Sequence, residues 1–282
     1  MLYIVSTPIG NLGDISQRAL EILENCDIVA AEDTRHTQKL LMHFGIKKPL
    51  ISYYEHNKAS RGPILIEKLQ NGENIALVSD AGTPGISDPG ADLIKLAIDA
   101  DIQVSMAPGP VAGIMALVLS GLNTDKFVFE GFIGTDNKKR NEFAEMISSE
   151  RRTVIIYEAP HRLLKTLEFL EKYLGNRKIA VCRELTKTHE EIRRGTAAEH
   201  IEHFTENDPR GEFVLVIEGA SEEKHPQTEI TAEDVFNKFN EISDSYKAEG
   251  IKRSKNDILK EVATFYNLPK NQIYSMYEEA KN

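Results

Sequence analysis

The sequence predicts an α/β protein with two successive α/β domains, at 1–120 and 126–220, and a small helical extension at 229–282. Three observations support this prediction. Short apolar segments alternate with amphipathic ones over the first 120 residues, as expected for a largely parallel sheet covered by helices on both faces. A turn-rich segment at 120–126 then precedes a second α/β stretch. A polar segment at 220–229 is interpreted as a linker, because helical spacing of apolar residues follows it.

The elements of the first domain follow from its apolar runs and capping residues. Strands are predicted at 2–6, 27–31, 50–53, 74–79 and 102–106. Helices are predicted after Asp14, over 34–44, over 61–70, from Asp88, and over 111–119. Asp14 is interpreted as a helix cap because Gln17 follows it at capping-box spacing. Gly45 lies where a helix C-terminal cap belongs, and Asp88 with the following proline is typical of a helix start.

The second domain continues this alternation. Strands are predicted at 127–130, 153–157, 178–182 and 213–218, and a long amphipathic helix at 160–173. In the tail, Ser254 is expected to cap a helix, 267–269 to turn the chain, and a final helix to carry Ile273 and Tyr277. Two roles for the tail stay open, a nucleic-acid-binding helix–turn–helix and a helical cap or partner-docking hairpin. The outline favours the second.

The composition excludes several classes of protein. No run of eighteen apolar residues occurs, so no membrane span is expected. The apolar segment 1–5 lacks a basic region and a cleavage site, which indicates a buried strand rather than a signal peptide. Cys26 and Cys182 lack metal-ligand spacing, so we expect buried thiols in a reducing cytoplasm and no metal. The net charge of −10 argues against a protein that coats nucleic acid non-specifically.

Three loops rich in glycine and proline, at 7–13, 80–90 and 107–113, each follow a predicted strand. Because small residues let the backbone approach a ligand at the carboxyl edge of a parallel sheet, the three loops predict a binding pocket. No G-x-G-x-x-G and no G-x-x-x-x-G-K-[ST] motif occurs. The pocket therefore suits an adenosine-type ligand better than a triphosphate.

Seven blocks, in order along 1–220, resemble the bacterial ribosomal RNA small-subunit methyltransferase I family of the tetrapyrrole-methylase superfamily: STPIGNLGDIS, AAEDTRHT, SDAGTPGISDPG, APGP, YEAPHR, RELTKTHEE and GEFVLVIEG. The resemblance implies two α/β domains with S-adenosylmethionine (SAM) in the cleft between them. It also implies transfer of a methyl group to the ribose 2′-oxygen of a cytidine in the decoding region of 16S rRNA. The implied partners are the small ribosomal subunit (30S) and, in a homodimer, a second copy of the chain.

The same resemblance implies a set of cofactor-binding residues, position by position. These are Pro8, Ile9, Gly10, Asp80, Ala81, Gly82, Thr83, Val111, Ala112, Tyr157, Leu185, Gly211 and Glu212.

A ribose hydroxyl is a poor nucleophile near neutral pH, so a base should help to remove its proton. Glu32 and Asp33 follow the second strand at the same sheet edge as the loops, and His56 lies in a polar aromatic loop. These three are the candidate catalytic residues, with Asp33 favoured as base or base-orienting residue. The alternative for Glu32 and Asp33 is a helix cap with a first-turn carboxylate. His36, Glu158 and His161 are further candidates.

RNA contacts require cations and flat side chains. The candidate RNA-binding residues are Arg35, Arg61, Arg162, Arg183 and Lys187, with Lys138 to Arg140, Arg193 and Arg194 as further cations. Residues 126–220 carry a net charge of −1, against −6 for 1–125, so the middle third repels a polyanion least. An acidic chain of this kind is expected to recognise the assembled small subunit by its shape rather than free RNA.

Two other functions stay open. One is methylation of a tetrapyrrole or of another small substrate or protein side chain within the same fold. The other is a non-catalytic nucleotide-sensing module, which would bind the cofactor and transfer no methyl group to RNA.

Overall fold

The computed structural model describes residues 1–134, 136–221, 231–248, 252–266, 268 and 270–281. The chain divides into two compact units, Met1–Ser221 and Glu222–Asn282. The first unit begins with alternating strands and helices: β1 Leu2–Val5, α1 Gln17–Asn25, β2 Ile28–Ala31, α2 Thr34–His43, β3 Leu50–Ser52, α3 Lys58–Gln70, β4 Ile75–Val78, α4 Gly90–Asp99, β5 Val104–Ala107 and α5 Ala112–Ser120.

The first sheet is parallel throughout, with the strand order β3-β2-β4-β1-β5. This confirms the prediction of a parallel sheet in the first 120 residues. One face is covered by α3 and α4 and the other by α1 and α2, so both faces are apolar. Because β4, β1 and β5 are neighbours, the three predicted loops leave the same edge of the sheet side by side.

The caps agree with the sequence at two helices and differ at one. Gly45 follows α2 with a φ of +72° and its N–H donates to the carbonyl of Met42, as a C-terminal cap does. Asp88 accepts from the N–H of Gly90 at the start of α4, although Pro89 occupies the N-cap position and the helix itself begins at Gly90. The cap predicted at Asp14 was wrong, because Asp14 ends a short 3-10 helix and the hydroxyl of Ser16 caps α1 instead.

The rest of the first unit builds a second, mixed sheet in the order β6-β7-β10-β8-β9. Its elements are β6 Phe127–Phe132, α6 Asn137–Ser149, β7 Thr153–Glu158, α7 Leu163–Leu174, β8 Ile179–Arg183, β9 Glu191–Gly195, α8 Ala197–Glu206 and β10 Phe213–Ile217. Neither β9 nor α8 was predicted from the sequence. β9 is an edge strand with the sequence EIRRG, whose charged residues hide the apolar pattern on which strand prediction depends.

The helix α5 packs on the second sheet although it follows the last strand of the first. Ala116 and Leu117 are buried against Val214 and Val216 of β10. The guanidinium of Arg194 donates to the carbonyls of Leu119 and Ser120, which are left without helical partners at the end of α5. This helix therefore covers one face of the second sheet, while α6, α7 and α8 cover the other.

The second unit contains α9 Ala232–Ala248, α10 Lys255–Phe265 and α11 Lys270–Lys281. The three helices share a core that includes Val235, Leu259, Val262 and Ile273. The hydroxyl of Ser254 accepts from the N–H of Asp257, so the predicted cap of α10 is confirmed. The predicted linker at 220–229 and turn at 267–269 lie largely outside the described residues. No helix among the described residues is long and apolar enough to cross a membrane.

Candidate active site

Hydrogen bonds join the three loops at the carboxyl edge of the first sheet. Thr7 and Gly82 exchange two backbone hydrogen bonds, with N···O distances of 2.8 and 3.0 Å. The hydroxyls of Ser6 and Thr83 lie 2.8 Å apart, and the hydroxyl of Thr83 also donates to the carbonyl of Pro110 at 3.1 Å. The loops after β1, β4 and β5 therefore form one connected platform.

Two glycines permit this close approach. Gly82 has a φ of +79°, and a Cβ there would lie 3.3 Å from Cγ2 of Ile9. Gly10 faces the segment after β8, where a Cβ would overlap the side chain of Lys187 and lie 3.2 Å from the carbonyl oxygen of Leu185. The first loop is thus held against the second sheet's loop with no room for a side chain.

A cavity of about 180 Å³ lies between this platform and the second sheet. Its walls include eight of the thirteen predicted cofactor-binding residues: Ile9, Ala81, Gly82, Thr83, Val111, Ala112, Tyr157 and Glu212. The remaining walls are Ile86, Phe132, Glu158, Phe213 and Val214. Of these, only Glu158 was singled out from the sequence, as a possible base. The others are ordinary apolar residues, whose position depends on how the two sheets meet.

Tyr157 of β7 connects the second sheet to the start of α5 beside this cavity. Its hydroxyl oxygen accepts a hydrogen bond from the N–H of Gly113 at 3.1 Å, near the start of α5. Its ring packs edge-on against Phe129 and Phe132, with centroid distances of 5.0 and 5.7 Å. Burial raises the pKa of the Tyr157 hydroxyl, so it stays neutral at physiological pH.

Carboxylates gather beside the second loop. Asp80 accepts from the N–H of Asp33 at 2.9 Å, while the N–H of Asp80 lies 3.5 Å from Oε2 of Glu32. Burial, and then the charge of Asp80, raises the pKa of Glu32. Burial also raises the pKa of Asp88, which accepts from the N–H groups of Gly85 and Gly90. A carboxylate with a raised pKa is a better proton acceptor.

Asp33 has a different environment. It caps α2 by accepting from the N–H of Arg35 at 2.8 Å, and it forms an ion pair with the guanidinium of the same residue at 2.9 Å. The hydrogen bond from the Arg35 side chain holds the pKa of Asp33 well below its usual range. Asp33 is therefore a weak base whose oxygens are already engaged.

Comparison with known proteins identifies the family to which this architecture belongs. Residues 1–201 match the tetrapyrrole (corrin/porphyrin) methylases. A "Ribosomal RNA small subunit methyltransferase I" from Synechocystis sp. is 50% identical over 277 residues, which cover 98% of this chain and 96% of that protein. The protein of the same name from Bacillus subtilis is 44% identical over 277 residues, covering 98% and 94%. The chain belongs to the tetrapyrrole methylase family and, within it, to the ribosomal RNA small subunit methyltransferase I group.

Solved tetrapyrrole methylases share the fold. A uroporphyrin-III-C-methyltransferase from Thermus thermophilus has a TM-score of 0.56 and 19% identity, and covers 77% of this chain and 93% of its own. The cobalt precorrin-4 methyltransferase CbiF has a TM-score of 0.57 and 14% identity, covering 77% and 94%. The resemblance stated from the sequence blocks and the predicted fold are both confirmed.

The other predicted cofactor residues of this methylase lie around the cavity rather than on its walls. Pro8 and Gly10 precede and follow Ile9 in the first loop. Asp80 precedes Ala81. Leu185 is buried in the core between α5 and the second sheet, and Gly211, with a φ of +90°, lies against the side chain of Glu184.

The predicted histidine and cation sites have varied surroundings in this methylase. His56 is exposed near the ring of Tyr54, and His36 and His161 are exposed as well. Lys187 forms ion pairs with Glu184 and Glu212 at 2.8 and 2.7 Å. It therefore holds a cavity wall in place and has little charge left for RNA.

The remaining cations differ in how strongly they are engaged. Arg183 donates to the carbonyl of Arg210 and lies 3.5 Å from Glu191. Arg61 is exposed on α3, and the side chain of Arg35 is 88% exposed in spite of its pairing with Asp33. Arg162 pairs with the buried Glu158 at 2.7 Å.

Proposed function

We propose that this chain is a SAM-dependent methyltransferase that methylates the ribose 2′-oxygen of a cytidine in the decoding region of 16S rRNA. The observation that carries the proposal is the cavity between the three-loop platform and the second sheet, in a chain whose relatives are named for the small-subunit ribosomal RNA. We propose the 30S particle as substrate, and therefore action in the cytoplasm.

The cofactor is S-adenosylmethionine, and the residues present fit it. Among the described residues, the walls of the cavity include two carboxylates, Glu158 and Glu212, and no cation. That balance suits a ligand that carries a sulfonium and an ammonium group. The small residues 81–83 would hold it through the backbone, and the aromatic rings of Phe132 and Tyr157 would contact its adenosine part.

When bound, SAM supplies an electrophilic sulfonium methyl group, and the protein supplies alignment and proton transfer. We propose Glu32 as the group that accepts the ribose proton. Its carboxylate lies beside the N–H of Asp80, which directly precedes Ala81 in the cavity wall. Its raised pKa makes Glu32 a more effective base than Asp33. Asp33, favoured by the sequence analysis, would act by fixing the loop through its N–H bond to Asp80.

The RNA contacts are proposed to come from Arg35, Arg61, Arg162 and Arg183, whereas the fifth predicted cation, Lys187, is proposed to have a structural role. Arg35 and Arg61 have the most accessible charges of this group, whereas Lys187 acts mainly through its two carboxylate partners. We also propose 1–120, 126–220 and 229–282 as the domain boundaries. By this division α5 belongs to the first domain in sequence and covers the second sheet in space.

We propose a homodimer, formed through an apolar face on the loop before α4 and on α4, β5, α5 and β6. The face is defined by six exposed side chains: Ile86, Ile98, Met106, Ile114, Phe127 and Phe129. They surround a groove of about 660 Å³, and both β5 and β6 are edge strands of their sheets. Apolar patches of this kind are typical of protein–protein interfaces.

The test is transfer of radiolabelled methyl groups from SAM to small subunits isolated from a bacterial strain without this methyltransferase, followed by nuclease mapping. Label on the 2′-oxygen of one cytidine is the expected result. Binding of SAM with no label on any ribose would overturn the proposal. Equal turnover on naked 16S rRNA would contradict recognition of the assembled particle.

A further inference from the structure

A second cavity lies beside the cofactor cavity, at the carboxyl ends of β6 and β7. It measures about 220 Å³ and is lined by Ile133, Gly134, Arg140, Glu158, Arg162, Lys165 and Thr166. Because β6 and β7 are parallel, both strands end at this edge, and α6 and α7 begin near it. Glu158 lines both cavities, which makes them direct neighbours. We call the second one the basic cavity.

The basic cavity has an excess of positive charge. Three cations, Arg140, Arg162 and Lys165, face a single carboxylate. That carboxylate, Glu158, is only 3% exposed and accepts hydrogen bonds from the N–H of Ala159, from Nε of Arg162 and from the hydroxyl of Thr166. Its charge is thus balanced within the protein, and the remaining cationic groups are available to an anion.

Packing holds the two guanidinium groups in place. Arg162 lies over the ring of Phe132 at 5.8 Å, and the only hydrogen bond from its side chain to a described residue uses Nε. Arg140 lies over the ring of Phe169 at 4.6 Å and donates to the carbonyl of Lys165. Among residues the structure describes, neither Arg140 nor Lys165 has an acidic partner. Groups fixed in this way lose little freedom when they bind a ligand.

We propose that the basic cavity binds a phosphodiester group of the RNA, next to the nucleotide whose ribose enters the cofactor cavity. The inference rests on the proposed function and names the group that recognises the RNA backbone. Planar guanidinium groups match phosphate oxygens in two-point hydrogen bonds. Phe132 lines the cofactor cavity and lies under the guanidinium of Arg162, so its ring joins the phosphate site to the cofactor site.

The carboxylate of SAM is the other anion near this place, and the geometry disfavours it. None of the three cations lines the cofactor cavity, and the wall between the cavities is the carboxylate of Glu158. A SAM carboxylate in the cofactor cavity would be separated from the three cations by the side chain of Glu158. The basic cavity therefore serves the second substrate rather than the cofactor.

The test is binding of the full-length protein to small ribosomal subunits at several salt concentrations, for Arg140→Gln, Lys165→Gln and the double variant. The double variant is expected to bind roughly tenfold or more weakly. The slope of log K against log salt should become less steep by about 0.7 for each phosphate that the variant no longer neutralises. SAM affinity, measured by calorimetry, should stay unchanged. Lys172→Gln is the matched control, because Lys172 is exposed on α7 roughly 10 Å further along the helix.

Unchanged subunit affinity and salt dependence in the double variant would overturn the phosphate site, as would an equal loss in the Lys172→Gln control. Weakened SAM binding would assign the cavity to the cofactor instead. These results are distinguishable from failure of the proposed function, in which the unsubstituted protein itself transfers no methyl group to the subunit.

Discussion

The carboxylate of Asp80 accepts a hydrogen bond from the backbone N–H of Asp33 at 2.9 Å. This bond joins the loop after β4, which forms a wall of the cofactor cavity, to the residue that caps α2. Asp80 therefore fixes the position of the cofactor loop relative to the neighbouring carboxylates.

Replacing Asp80 by alanine should weaken SAM binding. The substitution leaves the Asp33 N–H without its partner, which costs about 1–3 kcal/mol when the group is shielded from water. We expect SAM affinity, measured by calorimetry, to fall at least tenfold. Asp80→Asn keeps an oxygen acceptor and is the control. If Asp80→Ala bound SAM as well as Asp80→Asn, the loop would not depend on this bond.

Glu32 is expected to control the pH dependence of methyl transfer. A base must be deprotonated to act, so kcat should rise as the pH passes upward through the raised pKa of Glu32 and then level off. Glu32→Gln should remove this rise and lower kcat by about 10²- to 10⁴-fold, with SAM affinity kept. Asp33→Asn, in contrast, should leave the pH profile in place. An unchanged profile in Glu32→Gln would assign the proton to another group.

The raised pKa of Glu32 has a matching effect on stability. The folded protein holds this proton more tightly than the unfolded chain, so stability should fall as the pH rises from the unfolded value near 4.5 through the raised folded value. Glu32→Gln should flatten the pH dependence of the unfolding midpoint over that window. Thermal unfolding of both proteins between pH 4 and pH 8 measures this. Parallel curves would show that burial of Glu32 costs nothing.

Gly10 is expected to tolerate no side chain. In Gly10→Ala the new Cβ overlaps the side chain of Lys187 and approaches the Leu185 carbonyl, so the segment after β8 must move away from the first loop. KM for SAM should rise. Gly13→Ala, where a Cβ meets only the side chain of Asn11, is the control in the same loop. Adding Lys187→Ala to Gly10→Ala should restore part of the affinity, and no restoration would argue against this overlap as the cause.

The apolar face should control the oligomeric state. Ile98→Glu places a charge on a side chain that is 59% exposed within one chain and that borders the 660 Å³ groove. Burying that charge in an interface is unfavourable, so the variant should sediment as a monomer. Met42→Glu is the control, because Met42 is 68% exposed and does not line the groove. A dimer that survives Ile98→Glu, or a monomeric unsubstituted protein, would contradict the proposed interface.

The sequence by itself determined the local features of this protein. The strands of the first sheet, the cap at Gly45 and the three glycine- and proline-rich loops depend on neighbours close in the chain, and all appear in the structure. The family could also be identified, because its blocks keep their order along the chain. Where charged residues mask the apolar pattern, as in β9, local prediction failed.

Only the tertiary structure decided which distant groups meet. Strand order is a non-local property, and it is the adjacency of β4, β1 and β5 that turns three loops into one platform. Electrostatic roles depend on the same contacts. Lys187 resembles an RNA-binding cation in sequence, but in the structure it is ion-paired with two carboxylates. Burial beside Asp80 raises the pKa of Glu32, whereas the pKa of Asp33 is lowered. The sequence determines the charge of a side chain. Whether that charge is available to a ligand depends on its partners in the folded protein, which are distant in the sequence.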